Sequence, residues 1–325
     1  MSVQKLAIGL LGASRVATYA VIEPARASSG YYVHGVAARD PDRADGYAAK
    51  HGIECTYRAY EDLLNDPRID LVYLGTPPAY HVAQALAAIA VGKPVLVEKP
   101  FALDAVGARR VFDAANVAGV QVFEAMHSPH HVLFSRLLTL VGEGCIGKLI
   151  HVDAVFDAPI ASDDPIRWSA TLGGGALMDL GVYPLAWVRR ILGERFTVEK
   201  ARRQMLGAVD FSFTAHLRID ERTTATVSSS MITEQPAASL ELFGERGSIF
   251  VSNPLAPQHG HALTVEVEGK RQTEYCSGPS TYEAQLDAVR AAVSGERRFP
   301  FPADDFVRSM AAIDSVRVAW IACAE

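Results

Sequence analysis

Apolar positions in the first 124 residues fall into short continuous runs separated by longer stretches with a helical period. Leu6-Ala7-Ile8-Gly9-Leu10-Leu11 is such a run, the pattern of a strand buried on both faces. Further strands are expected at Tyr32–Ala37, Leu71–Leu74, Pro94–Val97 and Gln121–Phe123. Between them the period predicts helices over Ser14–Ala27, Asp40–His51, Tyr80–Val91 and Asp104–Ala118. Asp40-Pro41 reads as an N-cap followed by proline at the first helical position. Strands alternating with helices of this length imply right-handed crossovers and a parallel sheet.

The pattern changes after Glu124. Helical stretches near 132–142 and 177–192 are followed by strand-like segments at Thr197–Gln204, Phe211–Ile219, Thr223–Met231, Ser239–Phe243, Ser248–Val251 and Leu263–Val267. Consecutive strands joined by short polar turns suggest a mostly antiparallel sheet. Two helices close the chain, over 281–294 and 304–322. The expected class is α/β: a doubly wound parallel sheet over residues 1–124, then an α+β domain over 125–325 with a large, mostly antiparallel sheet.

Length and composition narrow the function classes. At 325 residues the chain has room for two domains of ordinary size. Hydrophobic residues are 49% and charged residues 21%, which excludes bulk disorder. A net charge of −6 with no basic block argues against a nucleic-acid partner. No apolar stretch reaches the roughly 18 residues of a membrane span. Met1–Leu11 has the length of a signal h-region, but no cleavage pattern follows and a glycine turn does, so a buried strand is preferred. Cys55, Cys145, Cys276 and Cys323 are scattered with no CxxC pair. They read as small buried residues of a reducing compartment, and the expected location is cytoplasmic.

Gly12-Ala13-Ser14-Arg15-Val16-Ala17 follows the first strand and opens the first helix, the position of a dinucleotide fingerprint in the variant G-x-S-x-x-A. Gly12 permits the tight turn, Ser14 lets backbone approach a pyrophosphate, and Ala17 allows close helix–sheet contact. Free amides and the helix dipole then attract phosphates. Where an NAD-binding chain places an acid, about 20 residues past the glycines, this chain has Arg39, with Arg43 one helical turn on. Two cations fit a 2′-phosphate, so NADP is expected, with NAD as the alternative cofactor. Gly142-Glu143-Gly144-Cys145-Ile146-Gly147-Lys148 has P-loop spacing, but Leu149 replaces the Ser or Thr and a helix precedes it. It reads as a glycine turn ending a helix.

Glu98-Lys99-Pro100 lies at the carboxyl end of a parallel strand, where open α/β sheets place ligands. From spacing alone, Lys99 fits equally a place beside a nicotinamide and a surface ion pair. Gly173-Gly174-Gly175 lets backbone approach something bulky. Asp179 and Tyr183 follow, four apart and on one face if helical. Such a pair is commonly a structural hydrogen bond, but behind a triple glycine it also suits chemistry.

These segments together resemble the Gfo/Idh/MocA oxidoreductases, named for glucose–fructose oxidoreductase and inositol dehydrogenase. The resemblance covers nearly the whole chain. It rests on Ile8-Gly9-Leu10-Leu11-Gly12-Ala13, Gly75-Thr76-Pro77-Pro78-Ala79-Tyr80-His81, Gly92 through Pro100, and Gly174 through Tyr183. Ala38-Arg39-Asp40 is most similar to the NADP-linked dihydrodiol/xylose dehydrogenase branch and related sugar ketoreductases. The resemblance implies hydride transfer between nicotinamide C4 and a carbon of a sugar, sugar derivative or diol. It places Lys99, Asp179 and Tyr183 at the catalytic positions. It puts Thr76, Pro77, His81, Glu98, Lys99, Arg167 and Trp168 on the cofactor side, with Gly12, Ala13, Ser14, Arg15, Val16, Arg39 and Arg43. A tyrosine near pKa 10 is a poor base at neutral pH, and a nearby cation favours its anion. In the reductive direction Tyr183 would protonate the alkoxide while Lys99 polarises the carbonyl. Asp179 would orient the substrate hydroxyl or Lys99.

One segment departs from the family pattern. After Glu124-Ala125 many relatives carry an aromatic residue, then an arginine, and a proline further on. Here Met126-His127-Ser128-Pro129-His130-His131 stands instead, with Pro129 at the arginine position. The histidine spacing matches no standard metal site, so no metal is expected. The departure keeps two alternatives in view: a non-catalytic NADP-binding regulator, and a nucleotide-retaining glycosidase-like relative. The strand Thr224–Ser230 alternates small polar and apolar residues, as on a half-covered sheet. The resemblance implies pairing through such a sheet, so a homodimer or homotetramer is expected.

Overall fold

The structure, a computed structural model, describes residues 5–322. Met1–Gln4 and Cys323 lie outside the described residues. Two compact units are present. The first comprises the chain through Met126 together with Tyr282–Val307, and the second comprises His127–Thr281 with the chain from Arg308.

The first unit is built on a six-stranded sheet of β1 (Leu6–Leu11), β2 (Tyr31–Ala37), β3 (Cys55–Tyr57), β4 (Leu71–Leu74), β5 (Val95–Glu98) and β6 (Val122–Ala125). The order is β3-β2-β1-β4-β5-β6, and every pairing is parallel. β1, β4 and β5 are buried at every position, which accounts for their unbroken apolar runs. The crossovers contain α1 (Arg15–Ala17), α2 (Glu23–Ala27), α3 (Pro41–His51), α4 (Tyr60–Leu64), α5 (Pro78–Ala90) and α6 (Ala105–Ala118). A π-helical turn, Thr18–Ile22, joins α1 to α2. Asp40 caps α3 as expected, its carboxylate accepting the Asp42 amide at 3.0 Å. The short β3 and α4 have no counterpart in the apolar pattern.

A division of the chain at 124/125 assigns the helix over 281–294 to the second half. In the structure α9 (Thr281–Val293) contributes Leu286, Val289 and Ala292 to the same core as Ile8, Leu10 and Val36. Nothing in a single helix's period says which of two sheets it covers. Further on, Phe299 packs against Phe123 at 4.7 Å, and Phe306 stacks on Phe101 at 4.0 Å.

The second unit carries an eight-stranded sheet of β7 (Leu149–Asp157), β8 (Thr197–Leu206), β9 (Val209–Arg218), β10 (Thr224–Ser230), β11 (Ala237–Gly244), β12 (Gly247–Ser252), β13 (Ala262–Val267) and β14 (Lys270–Glu274). The order is β14-β13-β12-β11-β7-β10-β9-β8, antiparallel except for β7 beside β10. The sequence pattern did not single out β7, although Val152, Ala154 and Phe156 alternate inward with His151, Asp153 and Val155. It is the strand that joins the two halves of the sheet. The edge strands β8 and β14 carry Lys200, Arg202, Arg203, Lys270 and Arg271, charges that discourage further strand pairing. α7 (Val132–Gly142), α8 (Val182–Leu192) and most of α10 (Asp305–Ala322) belong to this unit. The P-loop-like segment is the turn after α7, with Gly144 at φ +66° and Gly147 at φ +80°.

Candidate active site

In the first unit the expected cofactor residues follow the carboxyl ends of four neighbouring strands. Gly12–Val16 follow β1, Arg39 and Arg43 follow β2, Thr76, Pro77 and His81 follow β4, and Glu98 and Lys99 end β5. Strand order reverses between β1 and β4, the switch point at which open α/β sheets bind ligands. Gly12 has φ +100°, and a Cβ there would meet Thr76 Cγ2 at 3.1 Å, so glycine alone suits the turn. Ser14 caps the helix, its hydroxyl accepting the Ala17 amide at 3.2 Å. The Arg43 guanidinium donates to the Ala13 carbonyl at 2.9 Å, which ties the first helix of the second crossover to the glycine turn. Tyr47 adds a bond from its hydroxyl to the Ser14 carbonyl at 2.8 Å. Arg39 and Arg43 are both exposed, and both charges act on the Tyr60 hydroxyl.

His81 is fully buried on α5. Its Nε2 meets the Thr76 carbonyl at 2.7 Å and its Nδ1 the Pro100 carbonyl at 3.1 Å. Burial lowers its pKa. The ring sits between the loops after β4 and β5, and as a neutral imidazole it donates to one of the two carbonyls. Glu98 is buried, accepting the Tyr73 hydroxyl at 2.8 Å and the Lys99 amide at 3.1 Å. Burial first, and then this carboxylate, push the Tyr73 pKa well up, so Tyr73 remains the donor. Lys99 itself is half-buried. Tyr73 was not among the expected site residues, because its hydroxyl is inconspicuous in an apolar run.

In the second unit Arg167 gathers two carboxylates. Its Nε donates to Asp179 at 2.7 Å and its Nη1 to Asp164 at 2.9 Å. Burial alone would lower the guanidinium pKa, but Asp179 and Asp164 outweigh it and the net shift is upward. Trp168 anchors the same loop, its indole donating to the Ala161 carbonyl at 2.8 Å. Two of the three glycines do make a close approach, and what they approach is this chain. A Cβ on Gly174 would collide with the Arg167 carbonyl, and one on Gly175, at φ +109°, with the Asp210 carboxylate. Asp210 also accepts the Leu177 amide at 2.8 Å, capping the helical segment that follows. Burial raises its pKa to about 6.

That segment is not one regular helix. Leu177–Gly181 is a π-helical turn holding Asp179, and α8 then carries Tyr183. Tyr183 is 5% exposed, and its hydroxyl shares a hydrogen bond of 3.1 Å with His127 Nε2. His127 Nδ1 in turn meets the Thr281 hydroxyl at 2.9 Å. His127 sits in the segment that departs from the family pattern, and Thr281 carried no motif, so neither was named as a site residue. The signal for His127 was its place just past β6, at the carboxyl edge of a parallel sheet. His131 is a cap, its Nδ1 accepting the Leu133 amide at 3.1 Å. Among the described residues no group of three or more His, Cys, Asp or Glu could hold a metal ion.

Comparison with known proteins adds to this geometry. Residues 6–126 match the family model described as "Oxidoreductase family, NAD-binding Rossmann fold", and residues 134–250 match the Gfo/Idh/MocA C-terminal domain. A dTDP-3,4-didehydro-2,6-dideoxy-alpha-D-glucose 3-reductase of Streptomyces violaceoruber is 30% identical, over 98% of this chain and 96% of its own. A D-xylose 1-dehydrogenase (NADP(+)) of Haloferax volcanii is 30% identical over 95% of each. Among solved structures, the 3-ketoreductase KijD10 from Actinomadura kijaniata, in complex with NADP and TDP-benzene, shares the fold. Its TM-score is 0.90 at 24% identity, with 98% of each chain covered. The phosphate-turn geometry, the Glu98-Lys99-Pro100 strand end and these matches lead to one assignment: the chain belongs to the Gfo/Idh/MocA family of oxidoreductases.

Proposed function

We propose that this protein is an NADP-dependent oxidoreductase acting on a sugar, sugar derivative or related diol. The observation that carries this reading is the buried phenol of Tyr183 on the segment that also holds Asp179, in a chain whose other unit has a dinucleotide turn held by Arg43, with Arg39 just past the end of the neighbouring strand. The names of the Haloferax and Streptomyces relatives support the sugar class, and the Haloferax name supports the choice of NADP.

The turn fits the cofactor. Gly12 leaves no side chain over the amides, and Arg39 and Arg43 offer charge for a 2′-phosphate. Asp40 is occupied as the cap of α3, which removes the nearest acid from a ribose-binding role. When bound, the nicotinamide supplies or accepts the hydride. In the reductive direction Tyr183 gives its proton to the substrate oxygen, and Lys99 polarises the carbonyl. In the oxidative direction Tyr183 takes that proton. Asp179, held by Arg167, orients the substrate hydroxyl. The departing histidine segment supplies a hydrogen-bond partner to Tyr183, which favours turnover over a purely regulatory role.

The test is NADP(H) turnover over a panel of aldoses, inositols and diols, with wild type and Tyr183→Phe. The expected loss in kcat is about 10²–10⁴-fold, the usual contribution of a positioned acid, with NADPH binding retained. Tight cofactor binding without turnover on any member of the panel would sink the reading.

Two coarser features belong to the same proposal. The polar face of β7 and β10, where His151 meets Thr224 at 2.6 Å and Asp153 at 3.0 Å, suits pairing with a second copy. Light scattering at micromolar concentration should then give a dimer or tetramer. Cys55, Cys145 and Cys276 are half-buried rather than fully buried, and none is in a disulfide, which supports a cytoplasmic setting.

A further inference from the structure

We infer that the Thr281 hydroxyl, acting through His127, sets the direction in which Tyr183 points its proton, which makes His127 and Thr281 positioning residues for the reaction. The inference rests on the reading of Tyr183 as the acid. Its basis is a row of three groups within the second unit. The Tyr183 hydroxyl is 3.1 Å from His127 Nε2, and His127 Nδ1 is 2.9 Å from Thr281 Oγ1. His127 is 3% exposed and Thr281 is fully buried, so bulk water is largely kept from the row.

The groups are held from several sides. The Phe156 ring meets the phenol edge-on at 5.6 Å, and Trp187 lies at 6.3 Å. The Trp187 indole donates to Ser128 Oγ at 2.9 Å, which fixes the residue beside His127. The His127 carbonyl accepts the His130 amide at 3.1 Å. His127 and Thr281 are also the first and last residues of the main stretch of the second unit, so their bond fastens its two ends.

A neutral imidazole carries one N–H, and the tautomer is set by what the other nitrogen bonds. With the proton on Nδ1, the ring donates to Thr281 and Nε2 accepts the Tyr183 O–H. The phenol proton is then spent inside the protein. With the proton on Nε2, Thr281 donates to Nδ1 and the ring donates to the Tyr183 oxygen. The Tyr183 O–H is then turned towards substrate. Of the two neutral tautomers, only this one makes an acid of Tyr183. During reduction the Tyr183 O–H bond breaks and an O–H bond forms on the substrate oxygen, while the hydride arrives from the nicotinamide. His127 keeps its Nε2 proton, and its bond to the new phenolate becomes charge-assisted and stronger. Solvent water returns a proton to the phenolate after product leaves.

Nitrogen NMR of the histidine-labelled full chain reads the tautomer directly and needs no substrate. Wild type should show His127 protonated on Nε2, and Thr281→Val should move it towards Nδ1. Thr281→Ser should restore the wild-type state. With any panel member that turns over, Thr281→Val and His127→Phe should lower kcat by about 10-fold or more, a share of what a positioned acid contributes. KM and NADPH affinity should stay put, and Thr281→Ser should recover kcat. Added to Tyr183→Phe, Thr281→Val should cost nothing more, because the residues act as a unit. An Nδ1 proton in wild type, or unchanged kcat in both His127→Phe and Thr281→Val, overturns the inference. A Tyr183→Phe variant with full activity would instead overturn the functional reading beneath it.

Discussion

Single residues decide the cofactor side. Arg43 holds the Ala13 carbonyl of the glycine turn, and in the proposed reading it also meets the 2′-phosphate. In that reading Arg39 has only the phosphate to meet. Replacing either by alanine should raise KM for NADPH, and Arg43→Ala should do so more. A lost charge-assisted contact of about 1.5–3 kcal/mol corresponds to roughly 10- to 100-fold. NADH should be affected less by Arg39→Ala, and the ratio of the two kcat/KM values measures it. An equal loss for both coenzymes would mean that Arg39 does not read the phosphate. Arg39 and Lys99 were legible because a strand end announces them. Thr281 was not, because a lone threonine acquires meaning only when a histidine 154 residues away is folded against it.

At the scale of elements, the π-helical turn and α8 depend on a carboxylate from another strand. Asp210, on β9, accepts the Leu177 amide and lies against Gly175. Gly175→Ala combines a left-handed backbone with a collision, so a loss of about 2 kcal/mol or more is expected in chemical denaturation. Asp210 also leaves a pH signature. Its folded-state pKa is raised by burial from 3.8 to about 6, so between those values the folded state holds the proton more tightly than the unfolded chain does. Stability therefore falls as pH rises from about 4 to about 6, by up to about 3 kcal/mol. Asp210→Asn keeps an acceptor for Leu177 and removes the ionisation. The difference in Tm between variant and wild type should shift in the variant's favour as pH rises through this window. A constant difference would show that Asp210 does not titrate there. The three glycines advertised a close approach, but only the fold shows that its objects are the Arg167 backbone and the Asp210 side chain.

For the whole molecule, the first unit is completed by chain that returns after the second. A fragment of residues 1–124 lacks Leu286, Val289 and Ala292 and leaves part of its core open. It should bind dyes for exposed apolar surface and show weak amide protection. Joining 1–126 to 282–307 through a flexible linker should restore protection. A well-folded 1–124 fragment would show that α9 is dispensable. The alternation of buried runs and amphipathic helices determined the parallel sheet, the cap of α3 and the glycine turn, because each follows from local burial and local hydrogen bonds. The family motifs determined the candidate lysine, aspartate and tyrosine for the same reason, since each sits at a fixed offset from a strand or turn. Only the tertiary structure decided which sheet α9 covers, that β7 joins the halves of the large sheet, and that His127 stands between Tyr183 and Thr281. Those facts depend on contacts between residues far apart in the chain, and no local period or spacing encodes them.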